Sequence, residues 1–84
     1  MNDTFDRVVK VVASYEHNGR YVIIHDMDEA LYGDLGLDSL AVVESVMLCE
    51  EEFGIDFTDD EITKMVTVGD LVNLINKKIE NTHV

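Results

Sequence analysis

The chain has 84 residues, of which 46% are apolar and 29% charged, and its formal net charge is −12. This length suits a single domain spanning residues 1–84, and the apolar fraction is too high for a disordered acidic tail. No Lys or Arg lies between Arg20 and Lys64, which argues against nucleic acids and anionic membranes as ligands. The same field would attract basic protein partners, unless the acids serve solubility alone.

The first predicted helix rests on four apolar residues that share one helical face: Phe5, Val8, Val9 and Val12. Asp3 or Thr4 is placed to cap its start, and the breaker at residues 17–19 predicts an end near Tyr15. A long connection follows over residues 16–37. Its apolar run at residues 21–24 fits a short strand, a turn of helix or a buried loop, and periodicity does not choose among them.

The second predicted helix runs from Leu40 to Phe53, with Asp38 and Ser39 at the N-cap and Gly54 as the stop. Its core side carries Val42, Ser45, Val46, Cys49 and Phe53. A second side, here named the mixed face, carries apolar and acidic residues together: Leu40, Val43, Glu44, Met47 and Glu51. A helix that only had to be soluble would not need exposed apolar residues there.

Two further helices complete an all-α four-helix bundle with three longer helices, a short third helix and a long first loop. Thr58 or Asp59 caps the short helix, which ends near Met65, and Glu61 is placed for a capping box from Thr58. Thr67 caps the last helix. The apolar stripe of that helix consists of Val68, Leu71, Val72, Ile75 and Ile79.

Other features of the chain indicate which sites to expect. The single cysteine excludes an internal disulfide. No metal site is expected, because Asp26 and Asp28 begin like a calcium loop but Leu31 and Leu37 occupy its glycine and glutamate positions. The N-terminus does not resemble a signal peptide, and no apolar run approaches the roughly 20 residues of a membrane span. A cytoplasmic protein without membrane association is expected.

The segment that bears on function is residues 35–40, which read Leu-Gly-Leu-Asp-Ser-Leu. Gly36 allows a turn before the second helix, and Ser39 lies at the helix start. An anion attached to Ser39 would face the positive end of the helix dipole. By themselves, Asp38 and Ser39 would be read as ordinary helix caps.

This segment resembles the attachment motif of the acyl carrier protein family, Leu-Gly-x-Asp-Ser-Leu. The similarity extends at matching spacing over about residues 31–80, including residues 43–44, 50–53, 59–62 and 67–71. The resemblance implies a covalent 4′-phosphopantetheine on Ser39, donated by coenzyme A through a phosphopantetheinyl transferase. The thiol of this arm would carry acyl groups for fatty acid or related polyketide and specialised lipid biosynthesis. The protein would be a monomeric carrier and phosphoprotein, not an enzyme.

The family also implies roles for residues around Ser39. Asp38 and Leu40 flank the attachment position. The implied contacts to basic patches on transferases and synthases are Glu44, Glu50, Glu51, Val43 and Met47. The implied walls of an acyl pocket are Val46, Cys49, Phe57, Ile62 and Met65, each of which also fits a plain core role.

Some positions depart from the family pattern. Ala41 replaces a frequent acid, which would remove one recognition charge. Ser45 and Cys49 are smaller than the usual aliphatic residues, and we expect Tyr15, Tyr21 or the loop to fill the volume. A D-alanyl or aminoacyl carrier, or an unmodified acidic interaction module, remains an alternative. A serine hydrolase is disfavoured, because Gly-x-Ser-x-Gly is absent.

Overall fold

The structure is a computed structural model that describes residues 3–17 and 19–82, with the side chains of His17, Asn81 and Thr82 omitted. Asn18, part of the predicted breaker, lies outside the described residues. The elements in chain order are α1 (Thr4–Ala13), β1 (Glu16–His17), β2 (Arg20–Tyr21), α2 (Ser39–Phe53), α3 (Asp59–Lys64) and α4 (Val68–Thr82). The predicted helical bundle, with a short third helix and a long first loop, is confirmed.

Helix α1 packs through the face that its apolar spacing predicted. Val8 and Val12 are buried, and Phe5 and Val9 pack against the core from its edge. The predicted side-chain cap is wrong: Asp3 occupies the N-cap position without a capping hydrogen bond. Thr4 lies inside the helix, where its buried hydroxyl donates to Asn76 Oδ1 of α4. The start of α1 is therefore fixed by packing against α4 and not by a local cap.

The apolar run in the long connection is partly strand and partly loop. Strands β1 and β2 form an antiparallel hairpin with Glu16 opposite Tyr21, and Gly19 at φ 78° lies in its turn. Beyond β2, burial alternates: Val22 and Ile24 are buried, whereas Ile23 is exposed. This alternation is that of an extended segment lying on the bundle.

The second half of the connection is tied to the start of α4. The Leu31 N–H donates to the Val66 carbonyl at 2.9 Å, and the Val68 N–H donates to the Glu29 carbonyl at 3.0 Å. The Gly69 N–H donates to the Met27 carbonyl at 2.8 Å. These backbone hydrogen bonds explain how a long connection keeps one conformation.

Helix α2 lies between the core and the surface as predicted. Val42, Ser45, Val46 and Cys49 are buried, and Gly54 ends the helix in the left-handed conformation at φ 67°. An ion pair of 3.0 Å between Arg7 and Glu52 joins the last turn of α2 to α1.

Both predicted caps of the later helices are confirmed. Thr58 and Glu61 form a reciprocal capping box at α3. At α4 the Asp70 N–H donates to Thr67 Oγ1 at 3.1 Å, and Asp70 Oδ2 accepts from the Thr67 N–H at 3.0 Å. Lys78 of α4 pairs with Glu61 at 2.9 Å, which holds α3 against α4.

Candidate functional site

The loop before α2 is closed by its own backbone and by two leucines. Leu31 and Leu37 are buried, and the Leu37 N–H donates to the Leu31 carbonyl at 3.2 Å. Gly36 between them has φ 69°, a left-handed conformation that glycine adopts without strain. The Ala30 N–H donates to Asp34 Oδ2 at 2.7 Å. These contacts hold the loop in one conformation and so fix the position at which α2 begins.

Asp38, and not Ser39, is the N-cap of α2. Its backbone is extended, and its Oδ1 accepts from the Ala41 N–H at 2.8 Å. Ser39 is the first helical residue and is exposed, and its hydroxyl makes no hydrogen bond to any residue that the structure describes. Because Asp38 supplies the cap, the Ser39 hydroxyl is left available for chemistry.

The start of α2 suits a negatively charged group on Ser39. Within the described residues, the backbone N–H groups of Ser39 and Leu40 donate to no acceptor. Free N–H groups and the helix dipole both favour an anion at this end. The first turn of α2 contains no acidic residue, and Asp38 places a carboxylate at its cap. A phosphodiester on Ser39 fits these residues.

The mixed face of α2 lies at the surface, as its spacing predicted. Leu40 is 64% exposed, Met47 55% and Val43 38%. Glu51 is exposed and Glu44 is half-buried, so two carboxylates flank the apolar residues. This arrangement of apolar and acidic groups is complementary to a surface that presents both apolar and basic side chains.

Tyr15 joins the mixed face, which the sequence did not predict. Its hydroxyl donates a hydrogen bond to Glu44 Oε1. That bond, together with burial and the charges of Glu44 and Asp38, raises the pKa of Tyr15 to about 12. A groove of about 230 Å³ is lined by Tyr15 together with four residues of α2: Glu44, Met47, Leu48 and Glu51.

Two residues near the mixed face lie differently from what their assigned roles suggest. Glu50 faces the link between α2 and α3, where its Oε2 accepts from the Phe57 N–H at 2.7 Å. Glu50 is therefore engaged in the fold, unlike Glu51. Ala41 is fully buried. The expected loss of a recognition charge at position 41 stays a prediction.

The residues assigned to an acyl pocket belong to the common core. Val46, Cys49, Phe57 and Met65 are buried together, and Ile62 packs against them from the edge. Burial, with the nearby charges of Glu52 and Glu50, raises the pKa of the Cys49 thiol to about 12, so this thiol is not a nucleophile near neutral pH. The pocket itself stays a prediction.

The volume left by the small residues of α2 is not filled by Tyr21, which is 61% exposed. Ser45 is 4% exposed, and its Oγ has no hydrogen-bond partner in the described part of the chain. A buried hydroxyl without a partner destabilises the fold by about 1–3 kcal/mol.

Residues 3–17 and 19–82 contain neither a cluster of metal ligands nor a membrane-spanning helix. In these ranges no three His, Cys, Asp or Glu side chains are grouped so as to hold a metal ion. No helix described there is both long and apolar enough to cross a membrane.

Comparisons with known proteins identify the class of this site. The sequence pattern of the family described as "Phosphopantetheine attachment site" matches residues 22–75. The chain therefore belongs to the phosphopantetheine attachment family and is a carrier domain whose prosthetic group is 4′-phosphopantetheine. The matched range contains the loop before α2, all of α2 and α3, and half of α4.

The fold also resembles a solved structure, that of an acyl carrier protein from Thermotoga maritima. The two share 30% sequence identity with a TM-score of 0.78, and the alignment covers 92% of this chain and 87% of the other. The acyl-carrier type of four-helix fold is confirmed.

Proposed function

We propose that Ser39 carries the phosphopantetheine and that the protein is an acyl carrier protein. The observation that carries this proposal is the position of Ser39: an exposed first helical residue, capped by Asp38, inside the range that matches the attachment family. The thiol that the prosthetic group supplies holds an acyl group as a thioester. The chain itself catalyses nothing and is a substrate of its partner enzymes.

Loading requires a nucleophilic hydroxyl and a place for the phosphate. The Ser39 Oγ attacks the β-phosphorus of coenzyme A, its O–P bond forms, and adenosine 3′,5′-bisphosphate leaves with the electrons of the broken P–O bond. The hydroxyl proton passes to a base of the transferase. The free N–H groups at the start of α2 stabilise the phosphodiester on Ser39, while Asp38 keeps the helix start in place.

Partner enzymes are proposed to dock on the mixed face. Its two outward carboxylates would pair with basic side chains, and the exposed Leu40, Val43 and Met47 would supply apolar contact. Glu50 would contribute less, because the Phe57 N–H already binds its carboxylate. Val46, Cys49, Phe57, Ile62 and Met65 are the proposed walls for the acyl chain, reached by parting α2 from α3.

The test is intact mass after incubation with coenzyme A, magnesium and a phosphopantetheinyl transferase of broad specificity. A gain of one phosphopantetheine, mapped to the peptide containing Ser39, is expected. Ser39→Ala should gain nothing, and Ser14→Ala, which changes another exposed serine, should load normally. Loading of Ser39→Ala, or no loading of the unaltered chain by any transferase, would refute the proposal.

The acyl group would be of the fatty acid, polyketide or specialised lipid type. This choice over a D-alanyl or aminoacyl cargo is supported by the similarity to an acyl carrier protein. Mass analysis of the thioester on protein isolated from its native host separates the possibilities. A fatty or ketoacyl thioester is expected, and an aminoacyl thioester would replace the proposal with its alternative.

A further inference from the structure

The long connection forms a groove beside the loop that ends at Ser39. Its volume is about 300 Å³, and its lining includes Tyr21, Ile23 and His25 from one side and Leu35 and Leu37 from the other. Only Asp38 separates Leu37 from Ser39, so their Cα atoms lie at most about 7.6 Å apart. A flexible group attached to Ser39 can reach this groove.

The backbone along this groove is unpaired in the described part of the chain. Among the described residues, the N–H and C=O groups of Val22, Ile23 and Ile24 form no hydrogen bonds. An extended segment with unpaired backbone groups binds other extended chains that carry amides, as the edge of a sheet does. The pantetheine portion of the prosthetic group is such a chain, because amide bonds join its units.

The side chains complement the rest of the arm. Tyr21 and Ile23 are 61% and 55% exposed, an apolar surface that suits the geminal methyl groups of pantetheine. Arg20 also lines the groove. It is exposed and forms no ion pair with another described residue, so its charge is available to the phosphodiester.

The acids that line the groove are already engaged by the loop. Glu29 accepts hydrogen bonds from the backbone N–H groups of His25 and Asp26, which lower the pKa of its carboxyl group. Asp34 accepts from the Ala30 N–H. These contacts hold the two carboxylates to the loop backbone, and the open segment at residues 22–24 remains the part of the groove with unpaired donors and acceptors.

We propose that the phosphopantetheine arm rests in this groove between transfers, with its amides paired to the backbone of residues 22–24 and its methyl groups on Tyr21 and Ile23. This inference rests on the proposed function, since it needs the arm on Ser39. Tethering gives the arm a local concentration on the order of millimolar, so weak contacts are enough to populate the docked state. A docked arm would also be shielded from solvent in the absence of a partner.

The experiment compares apo and loaded forms of the same chain by NMR. Loading should shift the amide signals of residues 22–24 and produce nuclear Overhauser contacts from Tyr21 and Ile23 to the geminal methyl protons of the arm. Ile23→Ser should lose most of these shifts and contacts. Val66→Ser is the matched control: Val66 is 60% exposed and does not line the groove, so this variant should retain both.

Each outcome decides between the two claims. Loading by mass with shifts confined to Ser39 and its immediate neighbours, or with contacts to the mixed face instead, would overturn the groove and leave the carrier function standing. Absence of loading by mass would refute the carrier function itself. Equal loss of the contacts in Ile23→Ser and Val66→Ser would also overturn the assignment of the groove.

Discussion

The hydroxyl of Tyr15, two residues beyond the end of α1, donates a hydrogen bond to the carboxylate of Glu44 on the mixed face of α2. The bond links the element that precedes the hairpin to the helix proposed for docking. It also fixes the orientation of one of the two outward carboxylates, so the geometry of the mixed face depends on a residue outside α2.

Tyr15→Phe should abolish the ionisation of one tyrosine at high pH. The variant should also lack the part of the alkaline loss of stability that this ionisation causes. The pKa of Tyr15 is raised from 10.0 to about 12, chiefly by its bond to Glu44. Below pH 10 the proton is bound in both states and the bond contributes fully. From pH 10 to 12 the unfolded chain loses this proton first, so stability falls and the contribution is gone above about 12.

Ultraviolet absorbance of tyrosinate during an alkaline titration, with denaturation at each pH, measures both effects. The raised pKa of Cys49 also lowers the stability at alkaline pH. This effect is present in both proteins, so it cancels when the stability of the variant is subtracted from that of the unaltered chain. Identical titrations for the two proteins would contradict the assigned Tyr15–Glu44 bond.

Glu51→Lys should weaken binding to the phosphopantetheinyl transferase roughly fivefold at low salt, since an exposed ion pair contributes up to about 1 kcal/mol. The difference should shrink as salt screens the charges. Glu51 is chosen over Glu44 because substituting Glu44 would also remove its hydrogen bond with Tyr15. Glu80→Lys, at an exposed position of α4, makes the same change in net charge and should bind as the unaltered chain does. Equal weakening in both variants would mean that total charge, not the mixed face, governs docking.

Asp38→Ala should lower the free energy of unfolding by about 1 kcal/mol, because the Ala41 N–H loses its capping acceptor. Asp38→Asn keeps an acceptor oxygen at the cap and should cost less than Asp38→Ala. Urea denaturation of the three proteins measures both differences. A loss as large for Asn as for Ala would mean that the charge of Asp38, and not its capping bond, stabilises the start of α2.

Ser45→Ala should raise the free energy of unfolding by about 1 kcal/mol, since it removes a buried hydroxyl that has no partner. Alanine also has the higher helix propensity. The control is Ile75→Ala, a fully buried position of α4 where truncation should cost about 2–5 kcal/mol. Urea denaturation measures the free energy of unfolding of both variants. A lower value for Ser45→Ala than for the unaltered chain would show that the hydroxyl stabilises the fold and would contradict the prediction.

The sequence predicted those parts of the fold that depend on local pattern. Helix α2 and its two faces follow from apolar spacing at the helical period, the box at Thr58 follows from Glu61 three positions on, and Thr67 was expected only as a cap. Ser39 was found because its neighbours form a recognised motif. The structure adds that Asp38 alone is the cap, which leaves the serine hydroxyl free of that role.

The remainder depends on contacts between distant parts of the chain. The bond from Tyr15 to Glu44 spans 29 positions, and no local pattern indicates it. Glu50 reads as another surface acid until the link after α2 brings the Phe57 N–H to it. The hairpin strands are two residues long, too short to have a periodicity. Local pattern offers Asp3 or Thr4 as the cap of α1, since it does not indicate that the partner of Thr4 is Asn76, 72 positions away.

The backbone hydrogen bonds between the long connection and the start of α4 involve no residue of α3. Backbone hydrogen bonds join residues 27–31 to residues 66–69, and the loop that ends at Ser39 is anchored to them through Leu31. Helix α3 has no fully buried residue, and it contacts the rest of the protein through the partly buried Ile62 and the ion pair from Glu61 to Lys78. Displacing α3 would therefore break the Glu61–Lys78 ion pair and the contacts of Ile62, but none of the backbone hydrogen bonds that hold the loop before Ser39, so the position of Ser39 does not depend on the contacts of α3.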